Sequence, residues 1–63
     1  GENDRKGSIR FCEAIDGAQN QKYCFQNLIG QVSTFIRDSK YRHSFCQEIP
    51  AQFSYECKMA LEN

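Results

Sequence analysis

Four cysteines at positions 12, 24, 46 and 57, with 11, 21 and 10 residues between them, limit most strongly how this chain can fold. A chain of 63 residues buries only about 60% of the surface its unfolded form exposes, so a hydrophobic core alone holds it marginally. Domains of this size usually add disulfides, a metal or a partner. An even number of cysteines in so short a sequence fits a disulfide framework. Zinc would need closely spaced Cys or His pairs, whereas these gaps are wide and His43 is the only histidine. Oxidised cysteines in turn imply secretion or another oxidising lumen.

The second constraint is the stretch from Tyr23 to Ile36. Phe25, Leu28, Ile29, Val32, Phe35 and Ile36 recur at helical spacing and draw one apolar stripe. The expected architecture is all-α, a small disulfide-stapled bundle of about four helices over residues 9–16, 19–38, 40–48 and 51–62. Residues 1–7 are charged and Gly-bounded and read as a disordered arm, leaving 8–63 as a single helical domain. Ser8 is the expected cap of the first helix, with Ile9, Cys12 and Ile15 on one face and Phe11 beside them. Asp16-Gly17 is a stop signal. Ser39 is expected to cap the third helix, whose inner face carries Arg42, Phe45, Cys46 and Ile49. Pro50 suits the first turn of the fourth, where its missing N–H is harmless. Phe53, Cys57, Ala60 and Leu61 form the apolar side of that helix.

Phe11-Cys-Glu-Ala-Ile15 and Phe45-Cys-Gln-Glu-Ile49 share the pattern Phe-Cys-x-x-Ile. Each precedes a breaker and then a helix carrying the next cysteine, with Leu28 or Leu61 four residues later. The chain thus reads as one helix–turn–helix unit used twice. Geometry favours Cys12–Cys24 and Cys46–Cys57. At 1.5 Å per residue, Cys12 and Cys24 each stand about 9 Å from the turn between them, and Cys46 and Cys57 are similarly matched. A nested pairing, Cys24 with Cys46 and Cys12 with Cys57, would set partners about 21 and 10 Å from the turn at Asp38-Ser39. That mismatch exceeds disulfide reach unless the long helix breaks, with Gly30 the natural place.

The segment Cys46-Gln-Glu-Ile-Pro-Ala-Gln-Phe-Ser-Tyr-Glu-Cys57-Lys-Met-Ala-Leu61 resembles the inner hairpin of saposin-like domains. The likeness lies in the Cys-x-x-apolar-Pro stretch, the ten residues between cysteines and the Glu-Cys step. It covers residues 46–61; the outer cysteines of a saposin, including its opening Cys-x-x-Cys, have no counterpart. The resemblance implies a local Cys46–Cys57 bridge and a lipid- or membrane-interacting module. The twin Cys-x9-Cys helical hairpin, which pairs its cysteines in nested fashion, is a poorer match, its spacing not being met.

No catalytic constellation stands out, and an enzyme is not expected. A Ser–His or Cys–His pair would have to use His43, which sits in a polar connector. No cofactor or metal site is evident. Eight Lys and Arg balance eight Asp and Glu, which argues against nucleic acid as the partner, since a basic stripe would be expected there. The most site-like stretch is the corner Arg37, Lys40, Tyr41, Arg42, His43. Cations beside an aromatic suit an anionic group or an acidic patch on a receptor, or a lipid headgroup. Tyr23, Tyr55 and Met59 lie partly off the apolar stripes and, if exposed, would serve as interface anchors. Protease inhibition would need Lys22 or Arg42 in an exposed loop, and both fall in expected helices. The chain opens without Met and without an apolar run, as a mature product would, although Gly1 could equally be left by tag cleavage. The expectation is a secreted, extracellular ligand that binds a receptor or channel as a toxin, pheromone or hormone-like effector, as a monomer or homodimer. A saposin-like lipid module is the alternative.

Overall fold

The computed structural model describes residues 2–62, and the side chains of residues 6–62. Four helices follow in order: α1 (Glu2–Glu13), α2 (Ala18–Phe35), α3 (Ser39–Glu48) and α4 (Ala51–Leu61). No strand occurs among the described residues. Both disulfides join sequential helices, Cys12 to Cys24 and Cys46 to Cys57, and in each the Cα atoms stand 5.5 Å apart. The bundle is all-α, with the expected local pairing.

The helix boundaries depart from the sequence expectation at several points. The largest correction is at the start, where α1 begins at Glu2 instead of 9 and takes in most of the stretch expected to be a disordered arm; Gly1 lies outside the described residues. That stretch holds no Pro and only Gly7 in its interior. Nothing in the backbone therefore stops a helix anchored by buried Ile9 and Cys12 from continuing upstream. Ser8 is accordingly a mid-helix residue, not a cap. At its other end α1 closes at Glu13, before Asp16. Ala14 N–H is shared between the carbonyls of Arg10 and Phe11 at 3.1 and 3.2 Å, and Ile15 N–H bonds Cys12 O at 3.2 Å, a 3₁₀-like tightening.

Gly17 then takes φ 92°, a left-handed conformation open mainly to glycine, and its carbonyl accepts from Gln21 N–H at 2.9 Å to start α2. The Gln21 side-chain amide reaches back to the carbonyl of Glu13 at 3.1 Å, satisfying an orphan acceptor of α1.

Helix α2 ends at Phe35 rather than 38, because the next helix needs an extended lead-in. Ile36 is extended (φ −121°, ψ 110°), and Asp38 takes a β conformation whose carboxylate accepts from Lys40 N–H at 3.2 Å. Asp38, not Ser39, is therefore the cap of α3, and Ser39 is its first residue. Pro50 caps α4 from just outside it, its carbonyl accepting from Phe53 N–H at 2.9 Å. Helix α4 stops at Leu61, one residue short of the expected end.

The helices lie side by side as α1–α2–α4–α3, with α2 and α4 central: α1 packs on α2, α2 on α4, and α4 on α3. Phe25, Ile29 and Val32 of the central stripe meet Phe53, Cys57 and Leu61 of α4, with Ile9, Cys12, Phe45, Cys46 and Ile49 completing a core that holds no buried polar side chain among the described residues. Leu28, Ile36 and Tyr41 pack against its edge. Three members of the expected stripes do not join it. Ile15 lies past the end of α1 and is only half-buried. Phe35 is 79% exposed, about 100° around the helix from Ile36, which does pack at the core edge, and Ala60 faces solvent. The internal repeat is likewise unequal in burial, with Phe45 in the core and Phe11 outside it.

Candidate functional site

The corner between α2 and α3 places its five candidate residues in different surroundings. Arg37 and Lys40 are exposed. Tyr41 is half-buried and packs against the core. Arg42 turns inward: its Nε donates to Ile36 O at 2.7 Å, Nη2 to Ser33 O at 3.0 Å and Nη1 to Leu61 O at 3.2 Å. Those acceptors are carbonyls at the C-terminal ends of α2 and α4, where the helix dipole is negative and the last carbonyls lack partners within the helix. A planar guanidinium can serve three such acceptors at once, as a point-like ammonium cannot. Arg42 is thus a clamp holding two helix ends to α3, and the surface cations of the corner reduce to Arg37 and Lys40.

His43 stands next to the clamp. Its Nδ1 lies 2.6 Å from Glu62 Oε1, and its Nε2 lies 3.0 Å from the side-chain amide nitrogen of Gln47, one turn on. An amide nitrogen only donates, so Nε2 accepts from it, and the ring proton sits on Nδ1, directed at the carboxylate. The ring fastens the residue after α4 to α3. Both ring nitrogens are engaged by an amide and an acid, and all four cysteines are bridged. Among the described residues no group of three or more His, Cys, Asp or Glu side chains could hold a metal ion, and no helix is long and apolar enough to cross a membrane.

Among the described residues, five large apolar or aromatic side chains are exposed: Phe11, Tyr23, Phe35, Tyr55 and Met59. Tyr23, Tyr55 and Met59 are 59, 73 and 50% exposed. Tyr23 lies one turn before Gln26, whose amide donates to Glu56 Oε2 at 3.4 Å across the α2–α4 seam, and Tyr55 and Met59 flank Glu56 on α4. On the other side of α2, an open groove of about 590 Å³ runs between α1 and α2, floored by the Cys12–Cys24 bridge and lined by Phe11, Leu28, Ser8, Asn27 and Gln31 among others. Sequence reasoning missed this groove, because periodicity placed Phe11 beside the core. The available signal was its position one residue before Cys12, about 100° around the helix from the bridge. No family model, no curated protein and no solved structure matches the chain.

Proposed function

We propose that this protein is a small secreted helical ligand that acts by binding, in the manner of a toxin, pheromone or hormone-like effector, on an extracellular receptor or channel. The observation carrying this reading is the exposure of Tyr23, Tyr55 and Met59 on the α2–α4 face of a scaffold cross-linked twice. Amphipathic aromatics and Met are the side chains enriched at protein interfaces. A scaffold locked before binding loses little conformational freedom on docking, so even a small contact area yields useful affinity. Arg37 and Lys40, both exposed, extend the surface with positive charge that would steer it toward an acidic partner. With both nitrogens of the one histidine engaged and every thiol oxidised, the reading is of a binder rather than an enzyme.

The test is saturable binding of the labelled, disulfide-intact protein to intact cells or purified extracellular proteins, with displacement by unlabelled protein. The double substitutions Tyr55→Ser with Met59→Ser, and Arg37→Ala with Lys40→Ala, should each weaken binding at least about tenfold while leaving the helical circular dichroism unchanged. Binding that survives both pairs, or the absence of any saturable binding, refutes the reading.

A further inference from the structure

A quarter of the chain is charged, yet among the described residues no charged side chain lines the groove between α1 and α2, and the described lining comes from these two helices. Its lip carries Phe11, 69% exposed, opposite half-buried Leu28, with the uncharged polar groups of Ser8, Asn27 and Gln31 between and beyond them. We propose that this groove is a self-association surface, on which Phe11 of one copy enters the groove of a second copy and receives that copy's Phe11 in return.

Three features favour a second copy as the occupant. A two-fold interface sets each surface against itself, so every group must be compatible with its own kind. Like charges facing each other would oppose this, and the described groove lining has none; formal net charge is zero as well. Amide and hydroxyl groups both donate and accept, so Ser8, Asn27 and Gln31 can bond to their own counterparts, which a carboxylate or an ammonium cannot do with itself. An acidic protein or an anionic lipid surface would instead require cations, and the described lining supplies none.

The architecture points the same way. Helices α1 and α2 form a clasped antiparallel hairpin whose outer groove sets Phe11 and Leu28 among uncharged polar side chains, and two such hairpins face to face make a four-helix bundle. Tyr55 and Met59 lie on α4, which supplies none of the described groove lining, so self-association and the binding role proposed above are tested by different substitutions.

Sedimentation equilibrium of the native protein from about 10 µM to about 1 mM, the range in which a small interface forms, should show a reversible monomer–dimer equilibrium. Phe11→Asp places a carboxylate at each lip and should weaken the dimer about 30-fold or more. Gln31→Lys should act in the same direction should Phe11→Asp fail to fold, and Tyr55→Asp, on α4 and outside the groove lining, should leave the monomer–dimer equilibrium unchanged. A protein that is monomeric throughout overturns the proposal. So does a dimer indifferent to Phe11→Asp and Gln31→Lys, or one abolished by Tyr55→Asp. Co-sedimentation of a monomer with phosphatidylcholine vesicles, lost on Phe11→Asp, would assign the groove to lipid and overturn it equally.

Discussion

The rings of Phe25 and Phe53 stack with their centroids 4.8 Å apart and their planes 29° from parallel, and this contact joins the two central helices. Phe25 is fully enclosed and Phe53 nearly so. Truncating Phe25 leaves a void where α2 and α4 meet, so Phe25→Ala should cost about 3–5 kcal/mol in chemical denaturation with the disulfides intact. Phe35→Ala, at a site 79% exposed, should stay within about 0.5 kcal/mol of the parent. Equal losses at the two positions would contradict the packing described.

Arg42 offers a test of its role as a clamp. Arg42→Met keeps much of the aliphatic length but strips three carbonyls of their donor, and should lower stability by about 2 kcal/mol or more. Arg42→Lys keeps the charge without the planar fork and should recover only part of this. Arg37→Ala, five residues away and exposed, should leave the melting temperature almost unchanged.

The two disulfides should prove essential together and unequal apart. At about 0.05–0.15 kcal/mol per residue, a domain of this length holds only several kcal/mol of stability. Each bridge closes a loop of about a dozen residues, for which a contribution of roughly 3 kcal/mol is expected. Reduction of both should abolish the cooperative thermal transition seen by circular dichroism. Replacing Cys46 and Cys57 with Ala should cost more than replacing Cys12 and Cys24, since both residues of the first pair are in the core whereas Cys24 is partly exposed.

Two glycines should respond to alanine in opposite directions. A Cβ at Gly30 meets nothing within 4 Å, so Gly30→Ala should stabilise α2 by up to about 1 kcal/mol through helix propensity. Gly17 has φ 92° and an Asn20 amide 3.4 Å from where a Cβ would sit. Gly17→Ala should therefore destabilise by about 1 kcal/mol or more. Thermal melts of the two variants read both signs.

How far the sequence revealed this fold is clearest on α2. Helical periodicity correctly assigned Phe25, Ile29 and Val32 to the core, because the spacing of apolar residues determines which face turns inward. It could not say how wide the covered face is, and Phe35, at the flank of the stripe, is exposed whereas Ile36 beside it packs at the core edge. The cysteine pairing was legible because equal depth from a turn is a matter of rise per residue alone. The length of α1 was not, since a charged stretch carries little periodic signal and its helicity is borrowed from the anchored residues downstream. Arg42 could be placed on the inner face of α3 by its spacing from Phe45 and Cys46. That it would serve the carbonyls of Ser33, Ile36 and Leu61 depends on two other helices ending beside it, a tertiary fact that no local pattern encodes.

Because each bridge closes within one half of the molecule, the backbone between Cys24 and Cys46 is the only covalent thread joining those halves. Its exposed cations, Arg37 and Lys40, are the residues at which a trypsin-like protease would cut. Hydrolysis there yields two separately cross-linked fragments held together only by non-covalent contacts, the core, the Arg42 clamp and the Gln26–Glu56 hydrogen bond among them, whereas a cut at Lys22, inside the first loop, leaves one covalent piece. Survival in a protease-rich fluid is accordingly decided at the short α2–α3 connection and the first turn of α3, not at either disulfide loop.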